Sequence, residues 1–178
     1  GSGTVQVYDE WPEFDFEGSK DSSLTVKDYA ELFKQREGNR SIQKRILDRH
    51  FGNVRRTLGG NTLKGEFLEA GIEFSDSYHV APDLEEVETG IMKVKEYLRY
   101  DKTKDLDNLN RPKLVISPTC KNTIAAMERW SRDPKNSKPK EQYKDFCDVV
   151  RYLVASNPEI DVDRSWTQSR GASYGVGV

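Results

Sequence analysis

The chain is poor in cysteine, histidine and proline, with two Cys, two His and seven Pro in 178 residues. Cys120 and Cys147 lie far apart, each inside an apolar helical pattern. That arrangement predicts buried free thiols and a reducing compartment rather than a disulfide framework. Cys and His this scattered lack the paired spacings of a zinc site. No apolar run approaches the roughly 18 residues of a membrane span, and no signal peptide is read at the start. The chain has no Gly-Lys-Ser/Thr phosphate loop, which argues against an ATPase, and no nucleophile elbow or internal repeat. Neither sign of charge dominates: 28 Lys and Arg stand against 30 Asp and Glu. A nucleic-acid partner would therefore be met by a local basic patch, not by the field of the whole molecule.

What is present is enough for one domain with its own core, at 35% hydrophobic residues. Residues 1–3, "GSG", read as a cloning remnant; residues 4–157 form the domain. Residues 158–178, rich in Gly and Ser and without periodicity, read as a flexible tail. "TVQVY" (4–8) alternates as a strand, and its exposed edge invites pairing or cover. Residues 24–38 form a helix, with Thr25 as N-cap, Asp28 completing a capping-box variant and Gly38 as the stop. A short strand is predicted at Ile46 and Leu47, followed by a basic, glycine-rich loop at 51–61. Residues 62–71 are a helix that Thr62 starts, and 72–78 a strand. The clearest helix covers 83–101, with Asp83 as cap and Leu84, Val87, Ile91, Val94 and Leu98 as its core stripe. "PKLVISP" (112–118) is a buried strand, 119–133 a helix capped by Thr119, and 134–140 a basic loop. The helix at 140–156 carries Tyr143, Phe146, Cys147, Val150, Leu153 and Val154 on one stripe. Strands alternating with helices predict an α/β domain with a partly parallel sheet.

Three acids stand out. Asp48 ends the apolar run "RIL", where an open α/β sheet presents groups to its crevice. Asp145 and Asp148 lie on the polar face of the 140–156 helix, although Asp is a poor helix former and like charges three residues apart repel. Carboxylates converging from separate elements suit Mg²⁺ or Mn²⁺ with open positions for phosphate oxygens. Arg49, Arg55 and Arg56 follow Asp48, with His50 among them, and Lys135, Lys138 and Lys140 precede the last helix. Basic loops flanking an acidic centre are what a phosphodiester substrate needs. Each feature also has an ordinary explanation, as a turn-forming Asp, a solvated helix face or a solvated loop.

In order along residues 4–156, "VQVYDEWPEF", "DYAELFKQREG", "RILDRHFGN", "GIEFSDS", "EEVETGIMKVKEYL", "RPKLVISPTCKNTIAAMERW" and "KDFCDVVRYLV" resemble the C-terminal nuclease domain of tailed-bacteriophage large terminase subunits. The last matches the family's His/Asp-x-x-Asp-Ala-Leu-Arg-Tyr. The resemblance implies an RNase H-like mixed sheet flanked by helices and a Mg²⁺- or Mn²⁺-dependent endonuclease that cuts concatemeric double-stranded DNA. It implies two metal ions in the complete domain, and partners in the terminase ATPase domain, the small terminase subunit and the portal. The setting implied is the cytoplasm of an infected bacterial host, with no membrane partner. By position, Asp48 is the family's second catalytic acid, Asp148 its third, and Asp145 an auxiliary position. The family's first acid lies on a strand preceding the one that "VQVY" matches, and only Gly-Ser-Gly and Thr4 come before it here. The expectation is a domain truncated at its N-terminus and weak or inactive as a nuclease, with Asp9 and Glu10 the candidates to replace that acid. Rival readings are another RNase H-like nuclease, of resolvase or transposase type, and a non-catalytic DNA-clamping or assembly module.

Overall fold

The computed structural model describes residues 3–12, 24–55, 60–75, 87–107 and 109–158, with only the backbone of Arg49. The elements are β1 (Val5–Val7), α1 (Val26–Glu37), α2 (Arg49–Gly52), α3 (Leu63–Glu69), α4 (Val87–Leu98), β2 (Leu114–Ile116), α5 (Lys121–Arg129) and α6 (Lys144–Ala155). β1 and β2 pair in parallel, Val5 opposite Leu114 and Val7 opposite Ile116. The fold is mixed α/β, with one two-stranded parallel sheet among the described residues.

Local chemistry sets the helix ends. Thr25 Oγ1 accepts the Asp28 N–H at 3.3 Å and the Asp28 carboxylate accepts the Thr25 N–H at 2.7 Å, closing a capping box at the start of α1. Gly38 ends α1 with φ of 54°, a conformation that costs glycine little. Thr62 caps α3 by accepting the Gly65 N–H at 3.1 Å.

Two apolar clusters form the interior. In the first, Ala30 of α1 meets Phe67 of α3 and the following Ile72 and Phe74; the rings of Phe67 and Phe74 meet edge to face at 5.2 Å. In the second, Val94 of α4, Leu114 of β2, and Val150 and Val154 of α6 pack together with Val5 and Val7 beside them. Val150 and Val154 are almost wholly buried, each contributing about 1.5–3 kcal/mol of transfer free energy.

Several expectations change. Residues 41–48 form no strand; a single backbone bond, from Ser75 N–H to the Arg45 carbonyl at 3.0 Å, links them to residues 72–75, which also form none. The Arg45 fork on Glu37, at 2.7 and 2.6 Å, anchors the segment to α1 instead. The basic loop after it begins with the single turn α2. Thr119 does not cap α5. Cys120 holds the N-cap position without a side-chain bond, and the Thr119 hydroxyl turns to Ser117 Oγ at 2.8 Å. The last helix begins at Lys144, after Tyr143 adopts φ of 66°. Within the expected stripes Val94, Cys147, Val150 and Val154 are buried, whereas Val87, Ile91, Leu98, Tyr143, Phe146 and Leu153 are half-buried. Leu84, the Asp83 cap, Arg56 and the tail from residue 159 lie outside the described residues.

Candidate functional site

Asp48 closes the anchored segment 41–48 and starts α2. Its carbonyl accepts the Gly52 N–H at 2.8 Å and its Oδ1 accepts the Phe51 N–H at 2.9 Å, so it serves as the cap of that turn. Its Oδ2 accepts the Tyr152 hydroxyl at 2.5 Å, across 104 residues of sequence. That bond docks the Asp48 turn onto α6, the helix that carries Asp145 and Asp148.

On α6, Tyr152 stands one turn after Asp148, and Arg151 lies between them in sequence. The Arg151 Nε donates to Asp148 Oδ1 at 3.1 Å, and its Nη2 lies 3.1 Å from the same oxygen. The guanidinium carbon sits 4.5 Å from the Tyr152 ring centroid, in the range of a cation–π contact. The pair is deeply placed: the Arg151 side chain is 5% exposed and that of Asp148 15%. Asp48, Tyr152, Arg151 and Asp148 therefore make one continuous polar run across the junction. Asp145 is exposed in the first turn of α6, and its charge opposes ionisation of Asp148.

The two acids are driven apart in proton affinity. Burial pushes Asp48 up, but the Tyr152 hydroxyl, the N–H groups of Phe51 and His50, and the His50 charge together hold it below the ordinary carboxylate value. For Asp148 burial wins: it lifts the carboxyl above the ordinary value despite Arg151 and Lys144 nearby. Burial, then the Asp48 bond, pushes the Tyr152 hydroxyl far up, so it remains a proton donor. Tyr152 and Arg151, adjacent on α6, thus tie that helix to two carboxyls whose proton affinities shift in opposite directions. Cys147, on the same helix, is inert: burial, then the neighbouring Asp148 charge, pushes its thiol up to about 11. Both cysteines are free and buried.

The residues considered as a replacement first acid are engaged elsewhere. Glu10 accepts the N–H groups of Asn122 and Thr123 at 2.7 and 2.8 Å and the Thr123 hydroxyl at 2.8 Å, capping α5 from the other end of the chain. Asp9 pairs with Arg36 at 2.5 Å. Of the basic candidates, Arg55 is exposed and bridges to Thr62 in an antiparallel contact. Arg49 opens α2. Lys138 and Lys140 are exposed on the arm that returns from Arg132 to Pro139, and the Lys140 carbonyl receives the Trp130 indole N–H at 2.7 Å.

Sequence reasoning singled out the two acids and missed the roles of Arg151 and Tyr152. The available signal was an arginine inside an apolar stripe, four residues after Cys147 and three before Val154. Among the described residues no group of three or more His, Cys, Asp or Glu is arranged to hold a metal ion, and no helix is long and apolar enough to cross a membrane. Comparisons of the chain with protein-family models, with curated proteins and with solved structures return no match.

Proposed function

We propose that this chain is an RNase H-like, metal-dependent endonuclease domain of a phage DNA-packaging terminase, acting on double-stranded DNA. The observation that carries the reading is the Tyr152–Asp48 bond, which joins the Asp48 turn to the helix bearing Asp148 and Asp145. Supporting it, the described residues are mixed α/β with a parallel strand pair, and Lys138 and Lys140 are exposed ahead of α6. Asp48 and Asp148 are the residues that would hold Mg²⁺ or Mn²⁺. Such an ion would compete with the Phe51 N–H and Tyr152 hydroxyl for Asp48 and with Arg151 for Asp148. A second ion fits poorly, because Asp9 and Glu10 are spent on Arg36 and on α5. The ion when bound supplies Lewis-acid stabilisation of phosphate oxygens. The chain's own contribution is to orient Asp48 through Tyr152, to hold Asp148 through Arg151, and to attract the phosphate backbone with its basic loops. With so few carboxylates, weak metal binding and slow cutting are expected.

The test is nicking of supercoiled plasmid with Mn²⁺ or Mg²⁺, alongside DNA binding measured across a salt series. Metal-dependent nicking that disappears in both Asp48→Asn and Asp148→Asn carries the proposal. A non-catalytic DNA-clamping module is the second reading, favoured by the engagement of Asp48 as a helix cap and of Asp148 by Arg151. Salt-sensitive binding without metal dependence or nicking selects that module. Absence of any DNA binding rejects both.

A further inference from the structure

The turn α2, which Asp48 caps, carries its aromatic side chains outward. Phe51 is 65% exposed, and His50 and Val54 beside it are exposed as well. Scattered exposed apolar residues are ordinary, but this one is held out by the way the turn is seated. The Phe51 N–H donates to Asp48 Oδ1 at 2.9 Å, and the Gly52 N–H to the Asp48 carbonyl at 2.8 Å. Gly52 is buried, and a Cβ there would stand 3.1 Å from Leu47 Cδ2, so the turn rests on the first apolar cluster through its glycine. Beyond it, the Leu63 N–H donates to the Val54 carbonyl at 3.2 Å. The backbone of Phe51 is thereby fixed on both sides, with its ring on the solvent side.

His50 braces that ring. The two meet edge to face, with centroids 5.8 Å apart and planes at 77°. Such a contact covers at most one face of either ring, so a flat partner can still lie on Phe51. The surrounding chain is cationic: residues 49–65 include Arg49, Arg55, Arg56 and Lys64 and no Asp or Glu. The Asp48 carboxylate is engaged by the Phe51 N–H and the Tyr152 hydroxyl. An exposed aromatic ring among arginines suits a nucleotide, whose base has a π-face and whose phosphates are anionic.

We infer that Phe51, braced by His50, is a stacking platform for one unpaired nucleobase of a DNA strand lying on the Asp48 turn. The inference rests on the reading of DNA as the substrate and narrows it. The strand is unpaired where it meets Asp48, as at a frayed end or an opened step. A base on Phe51 brings its own phosphates to that turn, with exposed Arg55 on the same loop to meet the backbone. The interior of an intact duplex cannot use the ring, because its bases are stacked on one another.

The experiment measures binding of the full chain by fluorescence anisotropy at low salt. One probe is a labelled oligothymidylate of about a dozen nucleotides; the others are an abasic strand of equal length and charge, and a duplex. Base–aromatic stacking contributes about 1–3 kcal/mol per base, so the oligothymidylate should bind at least about fivefold tighter than the abasic strand. Added salt should weaken both strands and leave that margin, because stacking releases no counterions. Phe51→Ala should erase the margin and Phe51→Trp should keep it, with circular dichroism showing that both variants fold. Equal affinity for the two strands, a margin that survives in Phe51→Ala, or its loss in Phe51→Trp would overturn the platform. Binding of the duplex alone would overturn it and leave the DNA reading standing, whereas binding of no probe would overturn both.

Discussion

Replacing Tyr152 with Phe removes a single oxygen and keeps the ring under Arg151, so it isolates the bond that joins Asp48 to α6. That bond is an O–H donated to a carboxylate at 2.5 Å in a partly buried setting. Hydrogen bonds to charged groups contribute about 1.5–3 kcal/mol. Asp48 is only half-buried and water can replace part of the bond, so a loss of about 1–2 kcal/mol is expected near neutral pH. The pH dependence carries a sign. Asp48 is held below its ordinary value, so its contribution to stability is complete above the unfolded carboxylate value of about 3.9. It is lost as pH falls through the lower folded-state value. The gap between wild type and Tyr152→Phe should therefore be widest near neutrality and shrink as the carboxyl protonates. Urea denaturation followed by circular dichroism at several pH values reads the gap, and carboxyl NMR should show the Asp48 pKa rising in the variant. A gap under about 0.3 kcal/mol at neutral pH, well below the expected loss, would refute the reasoning. An equal gap after protonation would refute it as well.

Gly90→Ala should lower stability by about 1–3 kcal/mol through overpacking against Arg151, outweighing the gain in helix propensity; a raised urea midpoint would contradict the close approach of Arg151 to Gly90. Glu10→Gln should cost about 1–3 kcal/mol by weakening the charged cap on α5, and calorimetry should find Mn²⁺ affinity unchanged. A fall in that affinity would return Glu10 to the metal site. Val150→Ala should cost about 2 kcal/mol by cavity formation, and Ile91→Ala less, because Ile91 is half-buried beside an existing cavity. Equal losses by urea denaturation would show that the two positions pack alike.

What the sequence determined by itself is local. The capping box of Thr25 and Asp28, the Thr62 cap and the stop at Gly38 involve groups within a few residues of one another, so their chemistry was readable before any tertiary contact. The two strands that pair, and the burial of Val94, Val150 and Val154, also followed from pattern. Asp148 was conspicuous because Asp is costly inside a helix, and Asp48 because it ends the apolar run "RIL". Only the tertiary structure decided what Asp48 touches on α6. The Asp48 partner lies 104 residues away, and the cap of α5 comes from Glu10, 112 residues before Asn122. It likewise decided that residues 41–48 rest on α1 through Arg45 and Glu37 without becoming a strand. Periodicity reports which faces turn inward, but a ladder or a buried ion pair needs a particular partner brought close in space. Arg151 shows the difference most clearly: its place in the apolar stripe and its acid three residues before it are local, but the glycine beneath it became its neighbour only on folding.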